Sequence, residues 1–190
     1  MVQQGFGRTI MDSVMTRNIG TVVCCDRSDC MVCLHPSSRG KCRSQGVTYQ
    51  IACNRPPCVN HLQERSKLSV PQQLVDIPPA LYRGESSRSG YRRGGQHLDS
   101  YRDREKSCPL WRHTRDHHGG QFGPDRGLED FFMTILRPWN KPLDRLTAEG
   151  DLIVDLEDMQ HQGRALCINS KEDFQQSHSV TAKYTRGCNL

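Results

Sequence analysis

At 190 residues, with 35% hydrophobic and only 6% aromatic residues, the chain has material for one main core of modest size surrounded by long loops. A mean hydropathy of -0.70, and no apolar run approaching the ~20 residues of a membrane helix, exclude a helical membrane span. The net charge of +5 is uneven: the basic excess lies before residue 127 and the rest is acidic, a balance that suits a phosphate-bearing partner as well as plain solvation.

In chain order, residues 1 to 23 lack the charged start and unbroken apolar block of a secretory signal and read as a flexible N-terminal segment. Without secretion, ten cysteines point to metal or reduced thiols rather than a disulfide framework. Residues 24 to 45 carry Cys25-x4-Cys30-x2-Cys33-x8-Cys42, with Cys24 adjacent and Cys53 and Cys58 further on. Four thiolates that include a Cys-x2-Cys pair can close a tetrahedral zinc site, and a segment so poor in apolar residues has little else to fold around. A flexible Cys-rich linker is the alternative.

From residue 46, Val47, Tyr49, Ile51 and Cys53 alternate with Thr48, Gln50 and Ala52, the period of a strand. Residues 54 to 79 hold Pro56, Pro57, Pro71, Pro78 and Pro79 without a period, and read as a loop insertion with at most a short helix around Val59 to Lys67. "ALYRG" is a short strand ending at Gly84. The polar stretch from Arg88 to Lys106 has helical charge pairing, but Gly94 and Gly95 each cost about 1 kcal/mol relative to alanine, so packing must hold this helix. Ser107 can cap a second helix, "CPLWRHTRDHH", stopped by Gly119-Gly120. Cys108, His113 and His117 can be arranged there as metal ligands, although histidines in a last turn also suit the helix dipole.

"DFFMTIL" (130 to 136) is the next strand, and residues 141 to 160 form a helix with Leu143, Leu146, Ile153 and Leu156 on one face. A strand at "ALCI" and a polar tail over residues 176 to 190 complete the chain. The order β, β, α, α, β, α, β implies an α/β or α+β fold with a small, largely antiparallel sheet.

Two groupings suggest chemistry. Arg93 and His97 are four apart and share a helix face, as do Arg88 and Arg92; an arginine fork matches phosphate oxygens, and a histidine beside it can move a proton near neutral pH. Glu149 falls on or beside the apolar stripe of the last helix, where a carboxylate needs a partner or a cation, unless the helix is rotated so that Gly150 lies in the stripe and Glu149 at the solvent edge.

"VTYQI", then "LYRGE", then Arg93 and His97 on a helix, then "LWRHTRDHHGG", then "AEG" with "CINSKEDF" together resemble the GIY-YIG endonuclease family, in the variety attached to Penelope-like and related retroelement reverse transcriptases. The resemblance covers roughly residues 24 to 175. It implies a three-stranded antiparallel sheet flanked by helices and the cleavage of nucleic-acid phosphodiesters with one divalent metal, Mg²⁺ or Mn²⁺. Residue by residue, Tyr49 matches the tyrosine ending the first motif and Tyr82 the one opening the second. Arg93 matches the helix arginine, with Arg92 its nearest rival, and His97 a histidine one turn later. Glu149 matches the metal-binding glutamate, and Asn169 a C-terminal asparagine. In place of the second motif's isoleucine stands Arg83.

These expectations assemble into an N-terminal segment (1 to 23), a zinc-binding segment (24 to 45), a nuclease domain (46 to 175, with the 54 to 79 insertion) and a tail. The expected task is nicking DNA, in preference to RNA, with catalysis by Tyr49, Tyr82, Arg93 and His97, Mg²⁺ on Glu149, structural zinc on Cys25, Cys30, Cys33 and Cys42, and nucleic acid held by Arg88 and Arg92. No membrane partner is expected, and the setting would be intracellular and nuclear. A nucleic-acid-binding module without cleavage, or a relic of a mobile element, is the rival reading.

Overall fold

The computed structural model describes residues 25 to 55, 58, 78 to 123, 127 to 170 and 175. The expected helix at 59 to 67 and most of the 54 to 79 insertion, the first segment and the polar tail lie outside the described residues. Among the described residues the fold is α+β: a mixed four-stranded sheet and three α-helices. Its elements follow the expected order: β1 (Val47–Cys53), β2 (Ala80–Ser86), α1 (Gly90–Arg102), α2 (Pro109–His117), β3 (Phe131–Pro138), α3 (Pro142–His161) and β4 (Leu166–Cys167). The strands lie side by side as β3-β1-β2-β4. β1 pairs antiparallel with both β2 and β3, while the two-residue β4 runs parallel to β2. The sheet thus has one strand more than the resemblance implies, because the chain returns over α3 and adds a short parallel edge.

The period-two pattern of β1 explains the layering. Val47, Tyr49, Ile51 and Cys53 join Met133, Phe131, Leu98, Tyr101 and Leu110 in the larger core, on the face covered by α1 and α2. Ala52 and Leu81 point the other way, to Leu156 and Ala165 beneath α3. Each large side chain so buried stabilises the fold by roughly 1.5–3 kcal/mol, enough to offset the helix cost of glycine in α1. Gly94 is itself part of that packing, since a Cβ there would lie 3.4 Å from both the Met133 sulfur and Met31 Cβ. Gly95 has open space around the same position and serves no such purpose.

Two local expectations need correction. The cap of α2 is Cys108 rather than Ser107, with Pro109 as its first residue, where a missing N–H costs nothing. Gly119 and Gly120 end it, both at positive φ (62° and 72°). On α3 the inward positions are Arg145, Gly150, Ile153 and Leu156, whereas Leu143 and Leu146 are 45% and 41% exposed. In the first turn of α3 the buried residue is Arg145, paired with Glu85 of β2.

Candidate active site and metal centres

The tyrosine cluster follows from strand register. Tyr49 lies opposite Gly84 and Ile51 opposite Tyr82, so both phenol rings stand on the same face of the sheet, diagonal to each other with centroids 6.3 Å apart. Gly84 makes this possible: a Cβ on it would sit 2.8 Å from Tyr49 Oη and 3.1 Å from the Tyr82 ring. Ser89 caps α1 by accepting from the Arg92 backbone N–H, and α1 then crosses this face with Arg93 and His97, one turn apart, turned inward.

Arg93 Nε donates to Tyr49 Oη at 2.9 Å, and Tyr49 Oη lies 2.9 Å from His97 Nε2. A guanidinium only donates, so the Tyr49 oxygen accepts from Arg93, while the Tyr49–His97 bond runs either way according to which ring nitrogen carries the proton. Burial, with the charge of Arg93 adding to it, pushes His97 down to about 3, so the ring is neutral near pH 7. Burial also raises Tyr49 to about 12, although Arg93 opposes the shift. Arg93 interacts with the Tyr82 hydroxyl as well as with Tyr49. Arg92, its rival by spacing, is exposed and points away from this cluster.

Glu149 is half-buried at the edge of the α3 stripe, with Gly150 inside it. Its Oε1 accepts from the Glu85 backbone N–H at 2.9 Å, and its charge acts on the Tyr49 phenol. Arg83 lies on the opposite face, half-buried against α3. Its Nη1 donates to Leu152 O (2.7 Å) and its Nε to Gln50 Oε1 (3.1 Å). An arginine there is satisfied by hydrogen bonds where an isoleucine would simply be buried. Asn169 clasps the backbone of the same residue, its Oδ1 accepting from Arg83 N (2.9 Å) and its Nδ2 donating to Arg83 O (2.8 Å). It extends the short β4 edge and stands behind the tyrosine face.

The surface above the cluster is a chain of adjoining cavities. One is lined by Tyr82, Arg93, Gln96, His97 and Arg112; it shares Arg93 and Gln96 with a second, which includes Glu85 and Arg88. Tyr49 is fully buried behind this surface, whereas Tyr82 lines it.

Two sets of metal-ligating side chains flank the cluster. The thiols of Cys25, Cys30, Cys33 and Cys42, singled out by spacing, lie within 4.8 Å of one another and could hold a metal such as zinc. A second set, Cys53, Cys58, His113 and His118, is equally compact. Here Cys53 Sγ and Cys58 Sγ each lie 3.4 Å from His118 Nε2, and Cys58 Sγ is 3.6 Å from His113 Nε2. Zinc bonds of about 2.3 Å to sulfur and 2.05 Å to nitrogen, arranged tetrahedrally, require S···N separations of about 3.6 Å. The donors therefore already stand where such an ion needs them.

This second set corrects the expected grouping of Cys108, His113 and His117. Cys108 caps the far end of α2, and His117 is exposed and stacks on the His113 ring at 4.9 Å. His118 reaches the cysteines because it has left helical geometry (φ −123°). The segment bearing the cysteines is pinned by buried Asp130, which receives the Tyr101 hydroxyl (2.8 Å), the Gly123 N–H (2.9 Å) and Arg55 Nε (3.2 Å). The sequence signal was present, since Cys-x4-Cys followed by His-x4-His approximates a known zinc spacing.

No protein-family model, curated protein or solved structure matches the chain.

Proposed function

We propose that this chain is a GIY-YIG-type endonuclease domain, of the retroelement-associated variety, that hydrolyses DNA phosphodiesters with one divalent cation. One observation carries the reading: Tyr49, Tyr82, Arg93 and His97, spread over two strands and a helix, share a hydrogen-bonded cluster beside an open groove, with Glu149 close enough to act on the Tyr49 phenol. The roles follow from accessibility. Tyr82, at the groove, orients the attacking water and, as a phenolate stabilised by Arg93, would take its proton. Tyr49, behind it, holds Arg93 and His97 in place through its hydroxyl. Arg93 neutralises charge developing on the phosphate. A single carboxylate such as Glu149 suits Mg²⁺ or Mn²⁺, which keeps several waters and completes its shell with phosphate oxygens; when bound there it supplies Lewis-acid polarisation of the ester. Zinc in the two thiol-containing sets is structural, and a DNA substrate implies a nuclear setting.

The test is nicking of supercoiled plasmid with Mg²⁺. Tyr82→Phe and Glu149→Gln should each lower the rate by about 10²-fold or more while leaving DNA retention intact. A second reading, a module that binds DNA without cutting it, draws on the complete burial of Tyr49 and the engagement of Glu149 Oε1 by backbone. Salt-dependent retention with no nicking in Mg²⁺ or Mn²⁺ would establish it in place of the first.

A further inference from the structure

Beyond the groove just described lies a cavity lined by Arg43, Gln45, Ser87, Arg88, Ser89 and Arg92. It contains three arginines and no carboxylate, and among the described residues none of the three guanidinium groups has an acidic partner. Three like charges gathered at one hollow repel one another, so the arrangement is favoured when an anion enters. Arg88 also lines the neighbouring cavity that contains Arg93, so the two hollows are continuous.

Arg43 is supplied by the cysteine segment. It directly follows Cys42, in a single 3-10 turn over Lys41–Arg43. Two backbone bonds clamp this turn to the start of α1, from Gly90 N to Ser44 O (3.1 Å) and from Gly46 N to Ser87 O (3.4 Å). Gly90 allows the approach, because a Cβ there would lie 2.8 Å from Ile135 Cδ1 and 3.5 Å from Cys42 O. The four thiols therefore hold the turn that places Arg43 opposite Arg88 and Arg92.

We propose that Arg43, Arg88 and Arg92 form a subsite for a nucleic-acid backbone phosphate next to the one bound at Arg93. The Cys25/Cys30/Cys33/Cys42 segment is then a wall of the substrate groove, and a metal ion held by its thiols sets affinity by fixing Arg43. This rests on the nucleic-acid reading above and adds to it a residue and a control.

The test is fluorescence anisotropy with a labelled DNA duplex and its RNA counterpart, in Mg²⁺-free buffer over a salt series, using the zinc-loaded full chain. Arg43→Ala, at an exposed position, should lower the salt slope of log K by about 0.9 and weaken binding several-fold at low salt, as should Arg88→Ala and Arg92→Ala. Arg43→Lys should keep the slope. Removing zinc, or Cys30→Ser with Cys42→Ser, should match the loss seen in Arg43→Ala and should not add to it when combined. An unchanged slope in Arg43→Ala, with the wild type binding either duplex, refutes the subsite and leaves the nuclease reading standing. Full additivity of zinc loss and Arg43→Ala refutes the metal's control of Arg43. A wild-type chain that binds neither duplex overturns both.

Discussion

The neutral state assigned to His97 has a measurable consequence for stability. The imidazole is buried under α1, faced by Tyr49, Tyr82 and Arg93, and in the folded chain it protonates only near pH 3 rather than at its ordinary 6.5. A histidine with a lowered folded value binds its proton more readily when unfolded. Its contribution is therefore fully present above pH 6.5 and is lost as pH falls through the window down to about 3. Across that window the slope approaches about 1.4 kcal/mol per pH unit, so acidification from pH 6.5 to about 4.5 removes on the order of 2 kcal/mol through this one group. His97→Gln supplies an amide oxygen that can still accept from Tyr49 but cannot take a proton. Urea unfolding of both proteins over this range should show the variant with the shallower dependence. The difference between them cancels acid release of metal from the cysteine and histidine sets, which the two share. Slopes that agree within about 0.4 kcal/mol per pH unit would falsify the buried, neutral assignment.

Three further outcomes follow from the same contacts. Gly84→Ala should destabilise by about 1–3 kcal/mol in urea unfolding and slow nicking more than it weakens DNA binding, because the new methyl displaces Tyr49 Oη. Arg93→Ala, which leaves the buried Tyr49 phenol short of a donor, should cost about 1–3 kcal/mol, whereas Arg92→Ala on the exposed face should stay within about 0.5 kcal/mol. Cys58→Ser should lower the zinc content measured by atomic emission by one ion per chain. Retention of the full content would show that Cys53, Cys58, His113 and His118 do not share an ion.

The longer elements were legible because each shows its period or charge pairing: alternation in 47 to 53, and the polar stretch expected from Arg88 to Lys106, which forms a helix over Gly90–Arg102. The N-terminal thiol set was legible for the related reason that its ligands are close in sequence. Where the signal was weak, neighbours decided. On α3, Leu146 falls within the sector that periodicity assigns to the core, yet it is exposed while Arg145 and Gly150 take the inward positions. The two spacings in the second metal set each looked ordinary, since a Cys pair leaving β1 and a His pair ending α2 meet only after β1 and α2 pack on the same layer.

The amino-acid order alone determined the element sequence and the two faces of β1, because backbone preference and side-chain period act over a few residues; spacing singled out Arg93, His97 and Glu149, while Tyr49 and Tyr82 came from the resemblance. Only the tertiary structure decided that Arg93 rather than Arg92 meets the phenol, that Tyr82 rather than Tyr49 borders the groove, and that Arg43 joins it from the cysteine segment. Those choices depend on the register between β1 and β2 and on how α1 lies across them. Register and docking are set by summed contacts among residues far apart in the chain, which no local pattern records.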